Sequence, residues 1–144
     1  DYREALLAQA RRLGLDDVVH IIDDCRDLPA AYMLSDVVVS ASTDPEAFGR
    51  IIVEAQAMGR PVVASDHGGA RETVIAGETG WLVAPGDAPA LAQAISDVLE
   101  MEIVLRKRRA EQAIAHARAN FSKKRMCDET LGVYREVLNP GPQA

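Results

Sequence analysis

The chain has 144 residues, one domain's length, with 48% hydrophobic and 26% charged residues, so it can bury a core and does not read as disordered. Its net charge of −6 argues against a nucleic-acid binder, which needs a basic face to neutralise phosphates. No apolar run approaches the roughly 18–20 residues of a membrane span, and the opening residues read as a helix rather than a signal peptide.

Because the chain starts on Asp1 already in helical pattern, a fragment of something longer is expected. Cys25 and Cys127 lie far apart with no His or Cys at ligand spacing, so reduced structural thiols are expected. His20, His67 and His116 are scattered, and no metal or other cofactor is expected.

In chain order, residues 2–13 are predicted helical, with Leu6, Ala10 and Leu13 on one face and Gly14 as the stop. Residues 18–22 (VVHII) are a β-branched run and predict a strand. Asp27 can cap a short helix from Leu28 to Leu34. Residues 36–42 (DVVVSAS) read as a strand buried on both faces, as in a covered parallel sheet.

A helix ending at Gly59 follows, then a strand at 61–65 (PVVAS). The pair Gly68 and Gly69 turns into a short helix ending at Gly77. A strand at 80–84 (GWLVA) leads through Pro85, Gly86 and Asp87 into a helix with an apolar stripe of Leu91, Ala94, Ile95, Val98 and Leu99. Helices over 102–119 and 122–138 complete a domain spanning 1–138, and 139–144 reads as a flexible tail. Alternation of strand and helix predicts an α/β domain with a mainly parallel sheet and helices on both faces. Ligands in such sheets sit at the carboxyl ends of the strands, here the loops Ser40–Arg50, Ser65–Arg71 and Ala84–Asp87.

The segment Asp44 to Gly59 (DPEAFGRIIVEAQAMG) carries the chemistry. Glu46 and Glu54 stand eight residues apart around a small turn, Ala47-Phe48-Gly49, that opens a helix. The free N–H groups and positive dipole end of that helix can hold an anion, with the first acid ahead of it and the second one turn in. The two acids are expected to face a common cavity. The same spacing also serves an ordinary purpose, since Arg50 and Glu54 stand at i,i+4 and would form a surface ion pair worth about 0.3–0.5 kcal/mol.

The ordered set around this segment resembles the C-terminal, donor-binding half of retaining GT-B glycosyltransferases, most closely the large bacterial group of family four. Its marks are Glu46 and Glu54 in the E-x7-E pattern, the small-residue turn, PVVAS, the glycine pair, TGWLV and the closing helix. The resemblance implies a Rossmann-like sheet that here lacks the half's first two strands. It implies that Glu54 binds the ribose of a nucleoside-diphosphate sugar. Glu46, the catalytic candidate, would contact the donor sugar's hydroxyls and orient the ring rather than attack it. The amides of Phe48 and Gly49 would hold the sugar, those of Arg50 and Ile51 the diphosphate, and backbone near Ile21 and Ile22 the base. Gly68 and Gly69 would lie beside the cleft or simply turn the chain.

Hexosyl transfer to a sugar or lipid-linked acceptor, without metal, is the implied activity, in the cytoplasm or peripheral to the inner membrane. The departures are the missing strands with their diphosphate-binding Arg and Lys, and the missing acceptor domain with its active-site His. The isolated chain is therefore expected to be inactive, and its exposed sheet edges to favour a homo-oligomer. A related nucleotide-sugar epimerase and a non-catalytic nucleotide-binding domain are the competing readings. Against a dinucleotide binder, no G-x-G-x-x-G follows any strand. His67 is expected to be a solvated loop residue, Trp81 to pack in the core, and Arg106–Arg109 to form a solvated face rather than a lipid contact.

Overall fold

A computed structural model describes residues 1–139, and the rest of the tail expected from 139 onward lies outside the described residues. Among the described residues seven helices and three short strands follow in order: α1 Tyr2–Arg12, α2 Leu28–Leu34, β1 Val38–Ser40, α3 Arg50–Ala57, β2 Val62–Ser65, α4 Ala70–Thr73, β3 Trp81–Val83, α5 Ala88–Leu99, α6 Ile103–Asn120 and α7 Lys123–Leu138. The sheet is parallel in the order β1-β2-β3, with Val38, Val39 and Ser40 beside Val62, Val63 and Ala64, and Val63 to Ser65 beside Trp81 to Val83.

The helix starts are written in side chains. Asp1, Asp27, Asp87 and Ser122 each accept a hydrogen bond from an amide two or three residues on, which satisfies one of the orphan donors of α1, α2, α5 and α7. Pro29 and Pro89 sit in the first turns of α2 and α5, where a missing N–H costs nothing.

Strand β2 is fully buried because both faces are covered. Val62 and Ala64 face a cluster with Tyr32 of α2, Val38 of the neighbouring β1, Ile52 and Ala55 of α3, Ala70 of α4 and Val74 just after it. Val63 faces the opposite way, onto Ala94 and Val98 of α5, with Leu91, Ile95 and Trp81 around them. Each fully buried Val contributes roughly 1.5–3 kcal/mol. The expected α/β fold with helices on both faces is the one observed.

One expected strand is absent. Residues 18–22 form no ladder, and Val18, Val19 and Ile22 are exposed on the stretch between α1 and α2. β-branched residues favour a pleated, half-buried surface, but a strand exists only where a neighbour supplies the ladder. Among the described residues β1 pairs with β2 alone, so VVHII has no strand partner. Strand β1 is also shorter than the expected 36–42 run and is not buried on both faces, since Val38 is buried but Val39 on its other face is exposed. Helix α4 ends at Thr73 rather than at Gly77, because Val74 turns to extended backbone.

Two basic residues of the 106–109 cluster turn inward rather than lie solvated. Arg106 donates to the Asp36 carbonyl, and the Arg109 guanidinium stacks 5.4 Å from the Trp81 ring centroid. Among the described residues no helix is long and apolar enough to cross a membrane.

Candidate functional site

Helix α3 begins on Gly49 at φ 75° and ψ 58°, a left-handed conformation that glycine adopts without the cost of a Cβ, and no side chain caps it. The hydrogen bonds of this segment begin at Ile52, whose N–H donates to the Gly49 carbonyl at 3.0 Å. Among the described residues the amides of Phe48, Gly49, Arg50 and Ile51 have no protein acceptor. They form an open, electropositive mouth of the kind that binds anions.

Glu46 lies beside that mouth. Its Oε1 accepts from the Ser42 hydroxyl at 2.9 Å, and its Oε2 stands 3.5 Å from where a Cβ on Gly49 would be. With Ser40, Ser42, Ser65 and His67 it lines a small recess at the carboxyl ends of β1 and β2. His67 is half-buried rather than solvated as expected: Nε2 donates to the Ser42 carbonyl at 2.8 Å, and Nδ1 is buried with no partner among the described residues. The imidazole thus braces the residue that braces Glu46.

Glu54 lines a different recess, a groove of about 450 Å³ shared with Cys25, Arg26, Pro29, Tyr32 and Arg50. Its Oε2 accepts from the Tyr32 hydroxyl at 3.0 Å. Its Oε1 accepts from Arg50 Nε at 3.1 Å and Nη2 at 2.8 Å. The ordinary i,i+4 ion pair therefore forms, between an Arg50 side chain 81% exposed and a Glu54 side chain 32% exposed.

Among the described residues the two acids do not share the common cavity expected of them. Arg50, Glu54 and Ala57 lie on one face of α3, and Ile52, which borders the Glu46 recess, lies on the opposite face. At 3.6 residues per turn, positions two apart diverge by about 200°. The two acids flank the mouth from opposite sides of the helix.

The glycine pair has a clear task. Gly69 N–H donates to the Glu46 carbonyl at 2.8 Å, and a Cβ on Gly69 would lie 2.5 Å from Phe48 Cα. Gly68 is held as close to the backbone of Glu46. The close approach is to the chain itself, and it sets the loop that carries the open amides. The Phe48 ring turns away to meet Phe121 edge-on at 5.7 Å between centroids. Arg50 and Ile51 stand exposed at the mouth.

Ile22 is 76% exposed and does not line the Glu54 groove, although Cys25 and Arg26 just beyond it do. Sequence reasoning passed over Tyr32 and Ser42. Ser42 stands four residues before Glu46, a local signal that was readable; Tyr32 is 22 residues from Glu54, and only folding joins them.

Residues 1–116 match the family described as "Glycosyl transferases group 1". The chain is 33% identical over 137 residues to the lipopolysaccharide core biosynthesis mannosyltransferase LpcC of Rhizobium leguminosarum bv. viciae, covering 95% of this chain and 38% of that protein. The chain thus spans little more than a third of that relative's length. Among solved structures it superposes on a glycosyltransferase from Rickettsia africae ESF-5 with TM-score 0.92 and 35% identity, over 97% of this chain and 37% of the other. Anabaena Alr3699/HepE in complex with UDP-glucose matches at TM-score 0.85 and 38% identity, over 92% and 37% of the two chains. The C-terminal domain of a group 1 glycosyl transferase (LpcC) from Francisella tularensis matches at TM-score 0.71 and 26% identity, over 85% and 64%.

Proposed function

Since the chain belongs to the group 1 glycosyltransferases, with a GT-B fold corresponding to their C-terminal half, we propose that it is the donor-binding half of a retaining hexosyltransferase using a nucleoside-diphosphate sugar. The observation that carries this reading is the open row of amides at Phe48–Ile51, with Glu46 on one side of α3 and Glu54 on the other. A diphosphate fits the mouth, where dipole and N–H groups favour an anion. A ribose on one side would meet Glu54 and a hexose on the other would meet Glu46, so this reading needs the donor laid across the helix end in place of the single shared cavity expected from the sequence. The UDP-glucose complex of the HepE neighbour supports the same donor class.

In this reading Arg50 leaves Glu54 as the donor arrives, freeing Oε1 for a ribose hydroxyl. The exchange costs little, because exposed ion pairs are worth about 0–1 kcal/mol. Glu46 Oε2, which makes no hydrogen bond among the described residues, accepts from a hexose hydroxyl and fixes the ring. The bond from the anomeric carbon to the diphosphate breaks, the acceptor oxygen bonds on the same face, and its proton passes to the departing diphosphate. Catalysis then rests on positioning and on stabilising the leaving charge, and no metal is required. Base contacts near Ile22, acceptor identity, a cytoplasmic or peripheral location and inactivity of the chain alone belong to the same proposal.

Thermal unfolding with UDP, GDP, ADP and NAD tests it. One nucleoside diphosphate is expected to stabilise the chain selectively, by about 2.7 kcal/mol at 100 times Kd. Glu54→Ala should abolish that effect. Stabilisation by NAD alone would overturn the donor reading and favour a dinucleotide binder.

A further inference from the structure

Tyr32 is 7% exposed, so its ring is part of the core, yet its hydroxyl reaches out to the floor of the Glu54 groove. Helix α2 brings it there. Asp27 caps the helix start, Pro29 shapes its first turn, and the ring packs against the cluster containing Val38, Ile52 and Ala55. A Tyr at this depth needs a partner for its O–H, and the partner here is Glu54 Oε2. The two contacts on Glu54 differ in kind. Arg50 holds Oε1 from a solvent-exposed side chain and is free to leave. Tyr32 holds Oε2 from a ring that the core fixes.

A carboxylate on a glutamate rotates broadly about its last torsion, so a ribose would otherwise bind a carboxylate sampling many orientations. Each carboxylate oxygen accepts two hydrogen bonds, so Tyr32 fixes the plane while leaving lone pairs on both oxygens. We propose that Tyr32 is a positioning residue for ribose recognition, locking the Glu54 carboxylate so that its remaining lone pairs meet the vicinal hydroxyls of a nucleoside diphosphate. This rests on the reading of Glu54 as the ribose-binding acid.

The test compares UDP, GDP and ADP with their 2′-deoxy counterparts on the 144-residue chain by calorimetry, using the nucleotide that binds tightest. Tyr32→Phe keeps the ring that fills the core and removes only the hydroxyl. It is expected to weaken the ribonucleotide by about five- to tenfold and the 2′-deoxynucleotide by under about twofold, so that ribose selectivity falls. An equal loss on both nucleotides, or none on either, overturns the positioning role.

Glu54→Gln separates the two proposals. If it leaves ribose selectivity unchanged, the donor reading of Glu54 fails and Tyr32 fails with it. If it lowers selectivity while Tyr32→Phe does not, only the Tyr32 inference falls. Should Tyr32→Phe unfold, the native chain labelled at tyrosine Cζ supplies the answer. The Tyr32 signal is expected to shift with bound ribonucleotide and to stay in place with the 2′-deoxy form, and equal behaviour with both overturns the proposal.

Discussion

The phenol of Tyr32 is pushed up to about 12, first by burial and then by its hydrogen bond to Glu54 and that residue's charge, with Arg50 opposing. Neutral Tyr32 is therefore favoured by the fold. Its contribution to stability is intact below about pH 10, where unfolded tyrosine keeps its proton, and is lost as the pH rises through about 12. Urea unfolding from pH 9 to 12 should show stability falling across that window, with a shallower fall in Tyr32→Phe. An identical slope in both proteins would mean the phenol is not perturbed. On the other side of the helix, Glu46→Gln keeps the side chain's size and removes its charge. Affinity for a nucleoside-diphosphate sugar should drop about tenfold, towards that for the bare diphosphate, while the bare diphosphate binds as before. Loss of both affinities alike would remove the sugar-orienting role.

Among the elements, α3 and the α4 approach act as one unit. The mouth of α3 stays open because no Ser, Thr, Asp or Asn stands at its start, where the chain places Gly49. The loop in front is pinned by Gly69, whose φ of −61° is ordinary, so its small size matters and not its conformation. Gly69→Ala would press a methyl into Phe48 and should cost at least about 1–3 kcal/mol, with donor binding lost alongside. Gly77→Ala offers the contrast. Its φ of 78° makes alanine strained, by about 1–2 kcal/mol, but nothing lies within 4 Å, so binding should survive. Chemical denaturation and calorimetry on both variants distinguish a steric role at the mouth from general glycine loss. Gln56 completes the unit: fully buried, it ties α3 to the Thr73 carbonyl at 3.0 Å and to Thr79, fixing α4 against the helix it serves.

At the scale of the whole molecule, β1 and β3 are both edges of the described sheet, each paired with β2 alone. Among the described residues β1 has no strand on its outer side, and the exposed apolar residues Val18, Ile22 and Leu34 lie on the segments that precede it. Unpaired parallel edges invite association. Sedimentation of the 144-residue chain is expected to show concentration-dependent self-association, and a monodisperse monomer at high concentration would count against it. Turnover is expected to be absent from the chain alone, and measurable sugar transfer by the purified chain would contradict that.

The main helices, the Asp27 and Asp87 caps and the strands near 61–65 and 80–84 were readable along the chain, because caps act within about three residues and apolar periodicity is a local pattern. The two-sided burial expected of 36–42 belongs to β2 instead, because only packing decides which strand is covered on both faces. So were the two acids and the uncapped start of α3 between them, and the family they resemble. The fate of VVHII was not, since a β-branched run becomes a strand only when a neighbour completes the ladder. Nor was the partition of Glu46 and Glu54 into separate recesses, or the union of Tyr32 with Glu54 and of His67 with Ser42. Those depend on which face of α3 meets which neighbour, a matter of packing between residues about 20 apart that no local pattern encodes.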